Sequence, residues 1–218
     1  MNGAIFDVDG TILDSMSVWY DITEAFFQYH LIDVSNDEID KIQEMTLDES
    51  IPYIQKKYMP FAGSDSILRE FNERLSFAYS NTIKAKSGVC EYIRCLHNNG
   101  TRIAVATSGF ENLCIASFKR IGIYPYIDAY AYSDEVGCNK TKPDIYLLAA
   151  KRLNLAPEQC EVYEDIIAGV MSAKSAGFTV TAVADKTNAQ YKDRLIRHSD
   201  RYITGWDELL SKNTCGGG

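Results

Sequence analysis

The sequence predicts an α/β fold, a doubly wound parallel sheet with a helical module inserted after its first strand, and three observations carry that reading. Residues 4–8 form a short apolar run that ends in the turn Asp7-Val8-Asp9-Gly10-Thr11. Residues 16–79 repeat apolar side chains at helical spacing, with no strand among the helices. Beyond residue 88, short apolar runs alternate with helical patterns, as parallel strands joined by crossover helices do.

Taken in order, the run at 4–8 is short, apolar and closed by a turn, so it reads as a buried strand. Residues 16–30 place Val18, Ile22, Phe26 and Tyr29 at helical spacing, and further helical patterns come at 36–44, 48–58 and 65–79. Residues 89–98 read as a helix stopped by Asn99-Gly100. The β-branched run at 102–106 is a strand, followed by Thr107-Ser108-Gly109. A helix at 111–121, a strand at 129–132 and a helix at 144–153 come next. The strand at 160–163 leads to a helix at 167–176, with Gly177 just past its end where a left-handed residue is favoured. A strand at 178–183, a helix at 189–198, a weak strand at 201–203 and a short helix at 206–210 complete the chain. The expected domains are a core of residues 1–14 and 87–212 and a helical module of residues 15–86, with 213–218 a disordered tail.

Composition narrows the function. The chain has 218 residues, 46% of them hydrophobic, and a formal net charge of −8. Nucleic acids and anionic membranes need a basic footprint, so neither is an expected partner. No apolar run approaches a membrane span, and Met1 leads straight into a strand without a basic region and long apolar core. No secretory signal is therefore expected, and the location is read as cytoplasmic. The cysteines at 90, 95, 114, 138, 160 and 215 show no Cys-x-x-Cys spacing and no nearby His, so they read as reduced thiols rather than zinc ligands.

In open parallel sheets ligands bind beyond the carboxyl ends of the strands. The first strand ends in Asp7 and Asp9, the second in Thr107 and Ser108, and the fourth in Glu164 and Asp165; the loop after the third carries Lys140 and Lys142. Singly, each has a structural reading: Asp in a turn, Thr-Ser or Glu-Asp at a helix start, lysine in a solvated loop. Together at one rim they supply oxygen ligands for a hard divalent cation, donors for phosphate oxygens and a fixed positive charge.

Here the sequence resembles a known family, the haloacid-dehalogenase-like hydrolases, and within it the branch of β-phosphoglucomutase and small-metabolite phosphatases. Asp7-Val8-Asp9-Gly10-Thr11 matches the family's first motif in full, and Thr107-Ser108 its second. Lys140-Thr141-Lys142-Pro143-Asp144 matches the third, whose spacing to the Asp selects Lys140 over Lys142. Glu164-Asp165 followed by 166–170 matches the fourth, with Ile166 where Ser is common. The resemblance covers nearly the whole chain and implies a Rossmann-like core with a mobile helical cap. It implies that Asp7 is a nucleophile forming an aspartyl-phosphate, that Asp9 is the acid/base, and that Lys140 holds the phosphate. Thr107, Ser108 and the backbone at Gly109 would bind phosphate, and Mg2+ would be held by Asp7, the Asp9 carbonyl, Asp165 and, directly or through water, Glu164. Asp9 points to phosphate-ester chemistry, since dehalogenases and phosphonate-cleaving relatives lack it.

The implied activity is phosphatase action on a small phosphorylated metabolite by a monomer or weak homodimer. A mutase is the alternative, disfavoured because the mutase branch carries a cap His twelve residues after the nucleophile where this chain has Trp19. A non-catalytic binding protein on the same fold is disfavoured by the intact set Asp7, Asp9, Lys140 and Asp165. In the cap, Thr46 and Glu49 stand where relatives place a substrate-contacting loop, and they also fit a helix capping box.

Overall fold

The computed structural model describes residues 2–43, 45 and 47–211. Strand β1 (Gly3–Phe6) is followed by helices α1 (Val18–Tyr29), α2 (Asn36–Gln43), α3 (Leu47–Tyr58) and α4 (Ser64–Phe77), the last running into a π-turn at Ala78–Thr82. Alternation then begins with α5 (Val89–Asn98), β2 (Arg102–Thr107), α6 (Glu111–Ile121), β3 (Ala129–Tyr132), α7 (Ser133–Val136), α8 (Asp144–Arg152) and β4 (Cys160–Glu164). It continues with α9 (Ile167–Ser175), β5 (Thr179–Val183), α10 (Lys192–His198), β6 (Arg201–Ile203) and α11 (Asp207–Leu210).

The strands make one six-stranded sheet, all parallel, in the order β3-β2-β1-β4-β5-β6. The chain winds outward from β1 to β3, then returns to lay β4 on the other side of β1. That reversal opens a crevice at the carboxyl ends of β1 and β4, where doubly wound sheets take their ligands. The inner strands are apolar on both faces because helices cover both: every residue of β1 is buried, as are all of β2 except Arg102.

Several elements differ from the sequence reading for identifiable reasons. β1 stops at Phe6 rather than residue 8 because the Val8 carbonyl turns out of the ladder and accepts the N–H groups of Thr11, Ile12 and Leu13 (3.3, 2.9 and 2.8 Å). The helix expected over 189–198 begins as a 3-10 turn at Ala189–Tyr191. Four-residue α7 is too short to show a helical period in sequence.

Contacts divide the chain into two compact units, one running to Asp14 and resuming at Lys84, the other Ser15–Ile83. In the first, Phe6, Tyr92, Tyr163 and Trp206 form an aromatic cluster, with Phe6 stacked on Tyr163 at 4.5 Å. The buried hydroxyls of Tyr92 and Tyr163 satisfy each other at 2.7 Å.

The second unit packs α1 on α4 through Phe26 and Phe71, whose ring centroids are 4.6 Å apart. A polar strap joins the same helices: His30 Nε2 lies 2.8 Å from Glu70, whose other oxygen accepts two bonds from Arg74 (3.0 and 2.6 Å). Tyr53 donates to Glu38 and accepts from Lys41 and Lys57, each at 3.0 Å, so its hydroxyl is fully engaged inside this unit.

Cys90, Cys114, Cys138 and Cys160 are free thiols. Cys95 is disulfide-bonded, against the expectation of reduced thiols throughout. No helix among the described residues is long and apolar enough to cross a membrane.

Candidate active site

The site begins where β1 runs out. The turn after Asp9 is made by Gly10 at φ 87°, a left-handed conformation that glycine adopts at little cost. The turn closes with Gly10 N donating to the Leu13 carbonyl at 2.9 Å. This fixes Asp7 in the crevice, 4% exposed, with its N–H still bonded to the Tyr163 carbonyl of β4 at 3.0 Å. Asp9 is half-buried on the same turn.

Lys140 reaches Asp7 from the loop before α8. Asn139 Oδ1 accepts the Thr141 N–H and hydroxyl (3.1 and 2.5 Å), and Ser172 of α9 donates to the Lys140 carbonyl at 2.7 Å. With the backbone pinned from both sides, the side chain is buried and bonds Asp7 Oδ1 and, at 2.8 Å, Glu164 Oε2. Lys142 is exposed.

Glu164 and Asp165 close β4. Both oxygens of Glu164 are taken up inside the protein: Oε1 accepts the N–H groups of Asp165 and Ile166 (3.0 and 3.1 Å), and Oε2 accepts Lys140 and the Tyr146 hydroxyl (2.8 and 2.7 Å). Asp165 accepts Thr11 on Oδ1 (3.4 Å) and Asn188 on Oδ2 (2.8 Å). Carboxylate oxygens of Asp7, Glu164 and Asp165 all lie within 4.8 Å of one another, a buried cluster that could hold a metal ion. Asp7 Oδ2 is buried and has no hydrogen-bond partner among the described residues.

Thr107 ends β2 facing this crevice. Its Oγ1 accepts the Gly109 N–H at 2.9 Å, and a β-carbon on Gly109 would sit 3.2 Å from both Thr107 Oγ1 and Asp9 Oδ2. Ser108 is exposed and shares a hydrogen bond with Ser133 at 2.8 Å. Glu49 is exposed on α3 of the other unit, and Thr46 lies outside the described residues.

The electrostatics come from crowding. Burial, then the Glu164 charge, raises the Asp7 carboxyl from 3.8 to about 7 against the pull of Lys140. Burial and the charges of Glu164 and Asp7 likewise push Asp165 well above the usual carboxylate range. For Lys140 burial works toward the neutral amine, but Asp7 and Glu164 outweigh it and hold the ammonium form. Among the described residues the Lys140 ammonium thus faces three buried carboxylates, an arrangement short of positive charge.

Comparison with known proteins gives the family. The profile of the family described as haloacid dehalogenase-like hydrolase matches residues 4–183, which span every residue of the cluster. The chain belongs to that family. A phosphorylated carbohydrates phosphatase of Thermotoga maritima is 27% identical over 177 residues, covering 81% of this chain and 82% of its own. Hexitol phosphatase A of Escherichia coli is 29% identical over 215 residues, covering 93% of each. The crystal structure of a putative beta-phosphoglucomutase from Thermotoga maritima superposes with a TM-score of 0.86 at 24% identity, over 97% of this chain and 99% of the other, a likeness of fold. This haloacid dehalogenase-like hydrolase is an enzyme whose curated relatives include phosphatases.

Three residues that hold the site's side chains or backbone from outside it escape a motif reading. Tyr146 holds Glu164, and a signal for it exists: a tyrosine on the apolar face of a helix needs a partner for its hydroxyl. Ser172 looks like any helical serine and gives no signal. Asn188 lies in the loop after β5, and the strand-end rule extended to that fifth strand points to it.

Gly169 shows how tightly the site is packed. A β-carbon there would lie 2.5 Å from the Tyr146 hydroxyl and 2.6 Å from Glu164 Cδ, neither of which is free to move. Gly169→Ala is expected to destabilise the fold by about 1–3 kcal/mol in chemical denaturation. Helix propensity alone would favour alanine by about 1 kcal/mol, so the sign of the change tests the close approach directly.

Proposed function

We propose that this chain is a Mg2+-dependent phosphatase of small phosphorylated metabolites, sugar phosphates foremost, acting through an aspartyl-phosphate on Asp7. The observation that carries the reading is Asp7 Oδ2: a buried carboxylate oxygen without a partner among the described residues, beside a lysine and two further carboxylates. The relatives named for phosphorylated carbohydrates and hexitol support the substrate class.

The donor set fits a hard divalent cation, since it offers oxygen only and is short of positive charge. Asp7, Asp165 and the Asp9 carbonyl would hold it, with Glu164 held back by its four bonds to Lys140, Tyr146 and backbone N–H groups. Bound there, Mg2+ would reduce the repulsion between the Asp7 carboxylate and the phosphoryl oxygens. Lys140 adds a second positive charge against the phosphoryl group and keeps Asp7 oriented. Thr107 and the backbone at Gly109 offer donors to the remaining oxygens.

Asp7 attacks phosphorus, the ester P–O bond breaks, and Asp9 gives its proton to the departing alkoxide oxygen. Asp9, now a carboxylate, takes a proton from water; that oxygen attacks phosphorus, the Asp7–phosphorus bond breaks, and inorganic phosphate leaves. The helical unit is assigned the cap's role of selecting the substrate's non-phosphate part.

The test is a panel of phosphorylated metabolites with and without Mg2+, with β-glucose 1-phosphate included and both phosphate and glucose 6-phosphate followed. Phosphate release from sugar phosphates only when Mg2+ is present is the expected result. Glucose 6-phosphate without net phosphate release would replace the phosphatase by a mutase. No turnover by folded protein would favour a binding role.

A further inference from the structure

Asp165 owes its orientation to a residue outside the four motifs. Its Oδ2 accepts a 2.8 Å hydrogen bond from Asn188 Nδ2, in the loop after β5. Asp165 presents only acceptors when ionised, so the Asn188 amide must turn its nitrogen toward it. Asn188 stands at the N-cap of the 3-10 turn Ala189–Tyr191, yet its side chain makes no capping bond there. The usual reason for an asparagine at that position is therefore missing, and its side chain is spent on the carboxylate instead.

The loop that presents Asn188 is itself fastened. Asp185 Oδ1 accepts the Thr187 N–H and hydroxyl (2.9 and 2.7 Å), and the Asn188 N–H donates to the Asp185 carbonyl at 3.2 Å. Asp185 Oδ2 accepts Lys86 at 2.7 Å, and the same ammonium reaches the Ala184 carbonyl at 2.8 Å. The pair is largely buried, 14% and 4% exposed at the side chains. Burial would raise the Asp185 carboxyl, but the bonds from Lys86 and Thr187 hold it below the usual value, so the contact is ionic. Lys86 sits where the chain re-enters the core: its N–H donates to the Ile12 carbonyl at 2.9 Å, beside the bridge of Leu13 with Ala85. Thr11, in the same turn as Ile12, holds the other oxygen of Asp165.

We infer that Asn188 is a positioning residue for the cation-binding carboxylate Asp165, and that the Lys86–Asp185 pair sets its place. Asn188 locks Asp165 in one rotamer from the side opposite Thr11, leaving the carboxylate aimed at the cluster. The inference rests on the cation reading of the site and extends it to three residues, Asn188, Lys86 and Asp185, that lie outside the carboxylate cluster. Such outer partners of metal ligands typically carry a 10–100-fold effect on metal affinity.

The experiment is isothermal titration of Mg2+ into substrate-free, chelator-treated protein, paired with the Mg2+ dependence of hydrolysis. Asn188→Ala is expected to weaken Mg2+ binding by about tenfold, while turnover at saturating Mg2+ stays within about threefold of wild type. Lys86→Met is expected to weaken binding by a smaller factor, and the double variant to bind no worse than Asn188→Ala, because both act through one route. Wild-type and Asn188→Ala titrations that superimpose would overturn the inference. Additive effects in the double variant would overturn the Lys86 arm of it. Wild-type protein that binds no Mg2+ would overturn the cation reading itself and this inference with it. A lower turnover at saturating Mg2+ with unchanged affinity would also overturn it, placing Asn188 in the chemistry instead.

Discussion

Asp7→Asn is expected to lower turnover by about ten-thousandfold or more while leaving the fold in place. Loss of a nucleophile is the change for which neighbouring groups compensate least. The amide has the same shape, so Oδ1 can still accept Lys140. What disappears is the anionic oxygen at the unpartnered Oδ2 position, the atom to which the proposed function gives the attack on phosphorus. Asp9 is half-buried at the turn's edge, and in the proposed mechanism it serves the leaving group rather than attack. Initial rates at saturating Mg2+, with circular dichroism to verify folding, decide the matter. Residual activity near a hundredth of wild type would sink the nucleophile assignment.

The same variant carries a stability signature with a definite sign. The folded Asp7 carboxyl titrates at about 7 against 3.8 unfolded, because burial and Glu164 disfavour its charge. Between those two values the folded state holds a proton that the unfolded chain releases. Stability of the metal-free wild type therefore falls as pH rises through that window. Asparagine has no such proton. In chelator, the stability of Asp7→Asn relative to wild type should rise with pH across the window and level off above it, as denaturation midpoints would record. A carboxylate whose charge is disfavoured until a cation arrives is the same carboxylate whose Oδ2 is left without a partner.

Much of the fold and site is legible in the sequence because the signals are local. Alternating strands and helices fix a parallel sheet, and the rule that ligands gather at strand ends leads to Asp7, Thr107, Glu164 and Asp165 without any structure. The structure brings these together with Lys140 at one rim. What the sequence leaves out depends on contacts between distant residues. The bond from Thr11 to Asp165 spans 154 positions and that from Lys86 to Asp185 spans 99. Neither leaves a periodic trace. Glu164 shows a subtler limit: its type marks it as a ligand, but only its bonds show that its oxygens are already in use. Boundaries slip where side chains or backbone groups pull the chain out of regular geometry, as at Val8 and at the π-turn Ala78–Thr82.

Lys140→Met should be the most destabilising single change in the site. Methionine keeps the apolar stem but removes the ammonium that faces Asp7, Glu164 and Asp165. Lys140 is 6% exposed and Glu164 and Asp165 are fully buried, so water cannot replace it. Removing one partner of a buried ion pair costs about 3–5 kcal/mol, most of it the penalty on the charge left behind. The carboxylates can escape part of that cost by taking up protons, which fixes the pH dependence. With Lys140 gone, Asp7 is pushed further above its wild-type value of about 7, so the deficit relative to wild type should grow as pH rises above about 7 and stay smaller below it, where both proteins keep the Asp7 proton. Mg2+ bound as proposed would supply countercharge at the same place and should close part of the gap by binding only the folded state. Denaturation of Lys140→Met and wild type in chelator and in Mg2+, at alkaline and acidic pH, reads all three effects. Activity should fall by about a hundredfold or more, since a preorganised charge beside the phosphoryl group is lost. A variant as stable as wild type in chelator at alkaline pH would show that the carboxylates are not held ionised against Lys140. The charge-starved cluster, and the Mg2+ site built on it, would then need another explanation.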